Sequence, residues 1–303
     1  MDRKSVLLQA FQRGPLLTIN QKLYTDWIDK FIVGEIEGDV GAGDITTESL
    51  IDEHKSVKAE IYTRTAGIAA GLSEVKYILE KRGIHVKELA SDGDHISAHT
   101  LLFQIEGNAR EILKIERSCL DIIARMSGIA TLTHTIKNRV KHAEIAPTRK
   151  TQWKYLDKKA AFVGGGLTHR LALWDAILIK DNHLDALKGA IDTALERAWK
   201  HKKTFVEIEV CRAEDALLAA RKFKELGGEF PRIIMLDNMP PSDIKSVVGS
   251  LKKEGLYDHV LLEASGGIQP ETIAEYDATG VDVISLGYLT SSVQALDIKL
   301  RIL

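Results

Sequence analysis

VLLEASGG at 260–267 and VDVISLG at 281–287 are short apolar runs that end in polar residues or glycine, and four more such runs precede them: AEIAPT at 143–148, AILIK at 176–180, FVEIEV at 205–210 and IIMLDN at 233–238. Short apolar runs bounded by turn signals mark strands buried on both faces. Consecutive runs end roughly thirty residues apart, about the length of a βα unit, with helical stretches between them. Repeated in series, such units predict parallel strands wrapped by helices. A doubly wound sheet has the same alternation as a β/α barrel. The reading adopted is α/β, an open barrel of about six to seven parallel strands behind an N-terminal α+β sandwich.

In a β/α barrel the C-terminal strand ends carry the chemistry, because the loops there converge while strand interiors fill the core. Here those ends are Thr148-Arg149-Lys150, Lys180, Glu209, Asp237, Ser265-Gly266-Gly267 and Gly287. One mouth is expected to collect them all.

Working back toward the N-terminus, residues 21–37 place Leu23, Trp27, Ile28, Phe31, Ile32 and Ile36 on one helical stripe. Between Val57 and Gly107 the pattern shortens: KAEIYTRT alternates and glycine turns follow at 67, 71, 83 and 93, as in a small α+β domain. Ala109 to Val140 reads as one or two helices, with Gly128 as the break. The expected domains are 1–140, the α+β part with connecting helices, and 141–290, the barrel. Residues 291–303 are expected to pack back on the first domain.

Across 303 residues, 41 lysines and arginines face 43 acidic residues, for a net charge of −2. That balance gives no chain-wide reason to expect nucleic acid or an anionic membrane as a partner. The two cysteines, Cys119 and Cys211, are far apart and outside any CxxC pattern, so they read as inert core thiols in a reducing compartment. The chain shows neither a signal-peptide pattern nor a membrane-length apolar run, and a cytoplasmic location is expected.

Charge is concentrated locally. Arg149, Lys150, Lys154, Lys158, Lys159, Arg170 and Lys180 lie between 148 and 180, against only Asp157 and Asp175. Lys154, Lys158 and Lys159 read as a solvated helix face. Arg149, Lys150 and Lys180 sit at strand ends and suit carboxylates or phosphates. Glycines 164–166, before His169 and Arg170, allow a sharp turn and a close backbone approach. His183 reads as a hydrogen-bonded loop residue, and His95 with His99 as a surface loop rather than a zinc site. Glu209 and Asp237 form an acidic pair in a basic mouth, suited to a hard divalent metal or a ribose diol, with an internal salt bridge to the lysines as the alternative. The backbone N–H groups of Ser265, Gly266, Gly267 and Gly287 offer a phosphate cradle. A magnesium-bound phosphorylated sugar and an acidic co-substrate would fill such a site.

Nine segments extend this reading: TRKT (148–151), GGGLTHR (164–170), LIKDNH (178–183), VEIEV (206–210), MLDNM (235–239), EASGGI (263–268), ALDIKL (295–300), GAGDITTESL (41–50) and ERSCLDIIARMSGIAT (116–131). Taken in chain order they resemble the quinolinate phosphoribosyltransferases, the type II phosphoribosyltransferases also called carboxylating nicotinate-nucleotide pyrophosphorylases. The likeness spans nearly the whole chain. It implies transfer of phosphoribose from phosphoribosyl pyrophosphate to quinolinate with loss of CO2, in de novo NAD biosynthesis, with Mg2+ as cofactor.

The resemblance also implies a homodimer, which a hexamer of dimers could extend, with Arg117 reaching into the partner's barrel mouth. Thr148, Arg149, Lys150, His169, Arg170 and Lys180 would hold quinolinate carboxylates and phosphates. Glu209 and Asp237 would face the ribose hydroxyls and magnesium, directly or through water. Ser265, Gly266, Gly267, Leu286, Gly287 and Tyr288 would take the 5′-phosphate. Arg149, Lys150, Lys180, Glu209 and Asp237 would be the catalytic set.

Three segments depart from the family pattern. After TRKT the chain reads TQWKYLDKKA in place of a TPG-type turn and an arginine, which opens acid specificity at Gln152–Tyr155. FKELGGEFPR is an extra stretch, expected to lengthen a helix and an outer loop away from the mouth. YLTSS stands where the family usually has ALTHS, so Ser291 replaces a histidine. Two other enzymes fit the residues: a paralogue acting on another small acid, and a barrel lyase whose Lys180 or Lys150 forms a Schiff base. A non-catalytic anion-binding protein is a third alternative.

Overall fold

The computed structural model describes residues 2–303, which form two compact units. The first comprises Gly14–His134, Tyr155–Gly165 and Ser292–Leu303; the second comprises the segment up to Arg13, Thr135–Lys154 and Gly166–Ser291.

The first unit contains β1 (Ser56–Thr63), β2 (Gly67–Ile68), β3 (His85–Glu88), β4 (His95–Ile96) and β5 (Leu101–Asn108). The second contains β6 (Glu144–Pro147), β7 (Ile177–Ile179), β8 (Val206–Val210), β9 (Arg232–Asp237), β10 (Leu261–Ser265) and β11 (Val283–Leu286), after which β12 (Ile298–Ile302) returns to the first. In the first unit β12, β1, β5 and β3 form an antiparallel sheet in that order. Alternation along β1 buries Ala59 and Ile61, and Phe103 and Ile105 of β5 are buried beside them. The expected helix over 21–37 is present as Lys22–Ile28, a π-helical turn Asp29–Val33 and Gly34–Val40. Ile28 and Ile36 are buried, but Leu23 and Phe31 of the expected stripe are exposed.

Two expectations fail in this unit. The helix Ala109–Lys137 runs unbroken through Gly128. A Cβ there would lie 2.3 Å from the Gln294 carbonyl oxygen, so the glycine serves close packing instead of a break. Lys158 and Lys159, read as solvated, are buried on the helix Tyr155–Val163. Lys159 ion-pairs with Glu74 and, at 3.3 Å, with Asp92, and donates to Ser73 Oγ at 2.6 Å. Tyr24 donates to the same Glu74 at 3.0 Å. A buried ammonium is tolerated when it is paired and hydrogen-bonded in this way. Asp157 is likewise taken up by a bidentate bond from Arg125, 2.8 Å on each arm.

In the second unit all six apolar runs are strands, arranged in one parallel sheet of order β6-β11-β10-β9-β8-β7. The sheet is an open barrel whose edges are β6 and β7. The stretch after the glycine triplet lies along the β6 edge: Leu167 N–H donates to Ile145 O at 2.8 Å, and Thr168 N–H donates to Phe11 O at 3.1 Å.

The barrel floor is closed by the helix Arg3–Phe11, a segment that sequence reading assigns to the N-terminal domain. Asp2 caps it by accepting from Ser5 N–H at 2.9 Å. Leu7, Ala10 and Phe11 pack with Phe205, Ile233, Leu261 and Val283 from the N-terminal halves of the strands. Arg3 fixes the helix by a bidentate bond to Asp282, 2.5 and 2.7 Å, just ahead of β11. The opposite, C-terminal ends of the strands are therefore the open mouth. The stretch FKELGGEFPR spans the end of the helix Ala213–Leu226 and the loop into the start of β9, at the floor end. Among the described residues no helix is long and apolar enough to cross a membrane.

Candidate active site

Strand register decides which side chains meet at the mouth. Ile179 of β7 pairs with Ile208 of β8, so the next residue, Lys180, falls beside Glu209, and the two are ion-paired. Ser265 of β10 pairs with Asp237 of β9, and Asn238 N–H donates to Ser265 O at 2.9 Å. Asn238 Nδ2 donates to Asp237 Oδ2 at 2.5 Å. Gly266 has φ +89, and a Cβ on it would lie 2.3 Å from Asn238 Oδ1. Only glycine lets the β9 and β10 loops approach this closely. Gly267, also at positive φ, faces open space, which leaves its backbone accessible.

The β6 and β11 ends converge in the same way. Leu286 pairs with Pro147, and Thr148 Oγ1 and Lys150 Cδ lie 3.6 and 3.8 Å from the place a Gly287 Cβ would occupy. Thr290 Oγ1 donates to Lys150 O at 2.8 Å, and Lys150 N–H donates to Thr148 Oγ1 at 3.2 Å. The loop that bears Arg149 is thus closed on itself at Thr148 and tied through Lys150 to the helix Tyr288–Ser291. Arg149, Lys150, Lys180 and Asp237 remain partly or fully exposed at this rim.

His169 and Arg170 are placed differently: both are buried. His169 takes the left-handed conformation, φ 53, which turns its ring into the barrel against Phe11 and Phe205, with centroids 4.9 and 5.8 Å away. Its Nε2 lies 3.4 Å from Glu207 Oε2 and 3.3 Å from Glu263 Oε2. Arg170 Nη1 donates to Ala176 O at 3.3 Å. Burial, and then the nearby charge of Arg149, lower the Arg170 pKa, opposed by Glu207, Asp175 and Glu209. Those couplings connect Arg170 with Arg149 and Glu209 at the rim and with Glu207 beneath it.

Glu207 and Glu263 were missed by sequence reading. Both are fully buried, and burial, then the charge of Glu263, push the Glu207 carboxyl well above the usual carboxylate range, against the pull of Arg170. Their signal was present: a glutamate two before Glu209 in VEIEV shares its inward face, and Glu263 interrupts an otherwise apolar strand.

Arg117 lies on the long helix of the first unit, its side chain two-thirds exposed and 3.3 Å from Asp121 one turn on. Gly164, first of the triplet, packs where a Cβ would be 2.3 Å from Ala130 O, a structural use of that glycine. His95 stands edge-on to His134, centroids 5.0 Å apart, and His99 occupies the turn after β4 with φ 68. Cys119 is buried, its thiol pushed up to about 12 by desolvation, but Cys211 is exposed, contrary to the core reading of both. A cavity of about 740 Å³ on the antiparallel unit, lined by Lys58, His85, Gln104 and Glu106 among others, includes none of the expected site residues.

Both units of the chain are similar to known proteins. The quinolinate phosphoribosyl transferase C-terminal domain matches residues 129–301, and the N-terminal domain of the same family matches 44–127. The probable carboxylating nicotinate-nucleotide pyrophosphorylase of Methanothermobacter thermautotrophicus is 41% identical over 279 residues, covering 88% of this chain and 96% of its own. The carboxylating nicotinate-nucleotide pyrophosphorylase of Mycobacterium leprae is 35% identical over 267 residues, 85% of this chain and 90% of its own. Among solved structures, the nicotinate-nucleotide pyrophosphorylase of Francisella tularensis superposes with a TM-score of 0.77 at 32% identity, covering 92% of this chain and 96% of that one. With both domains matched in order and close relatives covered almost end to end, the chain belongs to the quinolinate phosphoribosyltransferase family.

Proposed function

We propose that this protein transfers phosphoribose from phosphoribosyl pyrophosphate to quinolinate, with decarboxylation, to give nicotinate mononucleotide, pyrophosphate and CO2. The observation that carries this reading is the convergence of Thr148, Lys150 and Gly287 on one side of the mouth and the Lys180–Glu209 pair on the other. Cations, carboxylates and exposed glycine backbone then line one opening, as an acidic ring and a phosphorylated sugar require.

In this assignment Thr148, Arg149, Lys150, His169, Arg170 and Lys180 bind the quinolinate carboxylates and the phosphates, arginine through its two-pronged fork. Backbone at Ser265, Gly266, Gly267, Leu286, Gly287 and Tyr288 cradles the 5′-phosphate. Glu209 and Asp237 orient the ribose hydroxyls. They also fit a hard divalent cation, being partly exposed carboxylates at adjacent strand ends, and magnesium held there would supply charge neutralisation to the pyrophosphate.

Rim cations stabilise the charge developing on pyrophosphate as its bond to the anomeric carbon breaks, and the pyridine nitrogen attacks the oxocarbenium-like ribose. Once that nitrogen is quaternised, its positive charge stabilises the ring carbanion left by departing CO2, and the carbon takes up a proton. The protein positions and neutralises; no covalent protein intermediate is needed. Arg117 acts from the partner subunit in a dimer, and the enzyme works in the cytoplasm. The test is a product assay offering quinolinate, nicotinate and nicotinamide separately with phosphoribosyl pyrophosphate and magnesium. Nicotinate mononucleotide and CO2 from quinolinate alone are expected; turnover confined to another acid would shift the assignment to the Gln152–Tyr155 loop.

A further inference from the structure

We infer that Glu207 and Glu263 are positioning residues for the acid-binding side of the mouth: a buried carboxylate pair that fixes the imidazole of His169. This rests on the reaction proposed above.

The pair lies on β8 and β10, either side of β9, where Glu207 is level with Ile233 and Glu263 with Met235. Glu209 and Ser265 come two residues later on the same inward faces, so the pair sits about 6.6 Å below the rim. Around and below it the barrel is apolar: Ile233 is level with Glu207 and Val283 with Glu263, and Phe205 and Leu261 lie two residues nearer the floor. Both side chains are 0% exposed, and none of their four oxygens has a hydrogen bond of good geometry. Buried charges of this kind cost several kcal/mol each to desolvate, and apolar residues would serve the core better. Stability alone therefore does not account for them.

Their surroundings do. Arg170 N–H donates to His169 Nδ1 at 2.6 Å, which makes Nδ1 the acceptor and leaves the ring proton on Nε2. Nε2 is the nitrogen that faces both carboxylates, at 3.4 and 3.3 Å. The ring is thus held from both ends, with Phe11 and Phe205 at its sides. An imidazole held in this way keeps one tautomer and one orientation before any substrate arrives. Such preorganisation is what acid recognition needs.

The test compares Glu207→Gln, Glu263→Gln and the double variant in the full-length enzyme. The double variant is expected to raise KM for quinolinate by about tenfold or more, while KM for phosphoribosyl pyrophosphate moves less than about threefold. Each single variant, which keeps one carboxylate, should fall between it and the wild type. Equal effects on both substrates, or none on quinolinate, would overturn the inference. The wild-type protein gives an independent reading that survives if the variants fail to fold. In 15N-histidine spectra, with the signal assigned by His169→Gln, the His169 ring is expected as the Nε2–H form; an Nδ1–H form would overturn the idea. So would one tightly held divalent ion per chain, lost on removing these side chains, since the three groups would then be metal ligands. The ring spectrum requires no turnover, so a protein inactive on quinolinate would defeat the proposed reaction and still leave this arrangement to be judged.

Discussion

The ammonium of Lys180, just past β7, is ion-paired with the carboxylate of Glu209 at the end of β8, and the parallel register of the two strands dictates the meeting. The Lys180 side chain is 43% exposed, so solvent screens the pair and it is worth at most about 1 kcal/mol. A charge-assisted bond to a bound carboxylate contributes about 1.5 to 3 kcal/mol. An arriving acid can therefore take Lys180 from Glu209 and leave that carboxylate available to the sugar.

Removing the rim cations should injure catalysis and spare the fold. Lys180→Ala and Arg149→Ala are each expected to lower kcat/KM for quinolinate by about 10- to 150-fold, with thermal midpoints near that of the wild type. Near-normal turnover in both would show that the mouth is misassigned.

Glu209→Gln and Asp237→Asn should act on the other substrate. Carboxylates repel a dicarboxylate and attract a metal-bound pyrophosphate, so binding of magnesium phosphoribosyl pyrophosphate should weaken more than binding of quinolinate. Calorimetry with each ligand alone separates the two, and a larger loss for quinolinate would contradict the division of the mouth into basic and acidic sides.

Complementation decides whether Arg117 serves a neighbouring subunit. When Arg117→Ala and Arg149→Ala proteins exchange subunits, each mixed dimer holds one site with both defects and one with neither. Random exchange in equal amounts should restore activity to about a quarter of all sites. If Arg117 serves its own chain, every site keeps a defect and mixing restores nothing.

Asp277 should make the barrel unit acid-sensitive. Burial would raise its pKa, but the N–H groups of Ala143, Lys141 and His142, at 2.7, 2.8 and 3.0 Å, outweigh burial and hold it below the ordinary carboxylate value. A depressed folded-state pKa gives stability that is full above the unfolded value and is lost as pH falls through the folded one. Asp277→Asn should cost about 2 kcal/mol near neutral pH, and its deficit relative to the wild type should shrink on acidification below the ordinary carboxylate range. A pH series of thermal midpoints measures this; a deficit independent of pH would exclude the charged form as the source.

The barrel strands are legible in the sequence because parallel strands buried on both faces must be apolar, and the polar residues that end them have nowhere to go but the mouth. The rim residues followed from the same logic. What was not legible depends on distant neighbours. Lys159 reads as solvated until Glu74 and Asp92 are known to surround it, and Gly128 reads as a helix break until Gln294 is seen against it. The inward turn of His169 depends on one positive φ and on Phe11, from a helix with little amphipathic pattern of its own. Glu207 and Glu263 were within reach of strand periodicity, which places Glu207 and Glu209 on one face.

The helix Arg3–Phe11 leaves the ribosome long before the side chains that receive it, Phe205, Ile233, Leu261 and Val283, are made. Sequence separations this large slow folding, because chain entropy must be spent before the contact is gained. Until those strands emerge Leu7 and Phe11 have no dry place to go. A nascent chain of this protein therefore carries an unprotected apolar helix until β11 is complete, and that interval is when a chaperone would matter most to it.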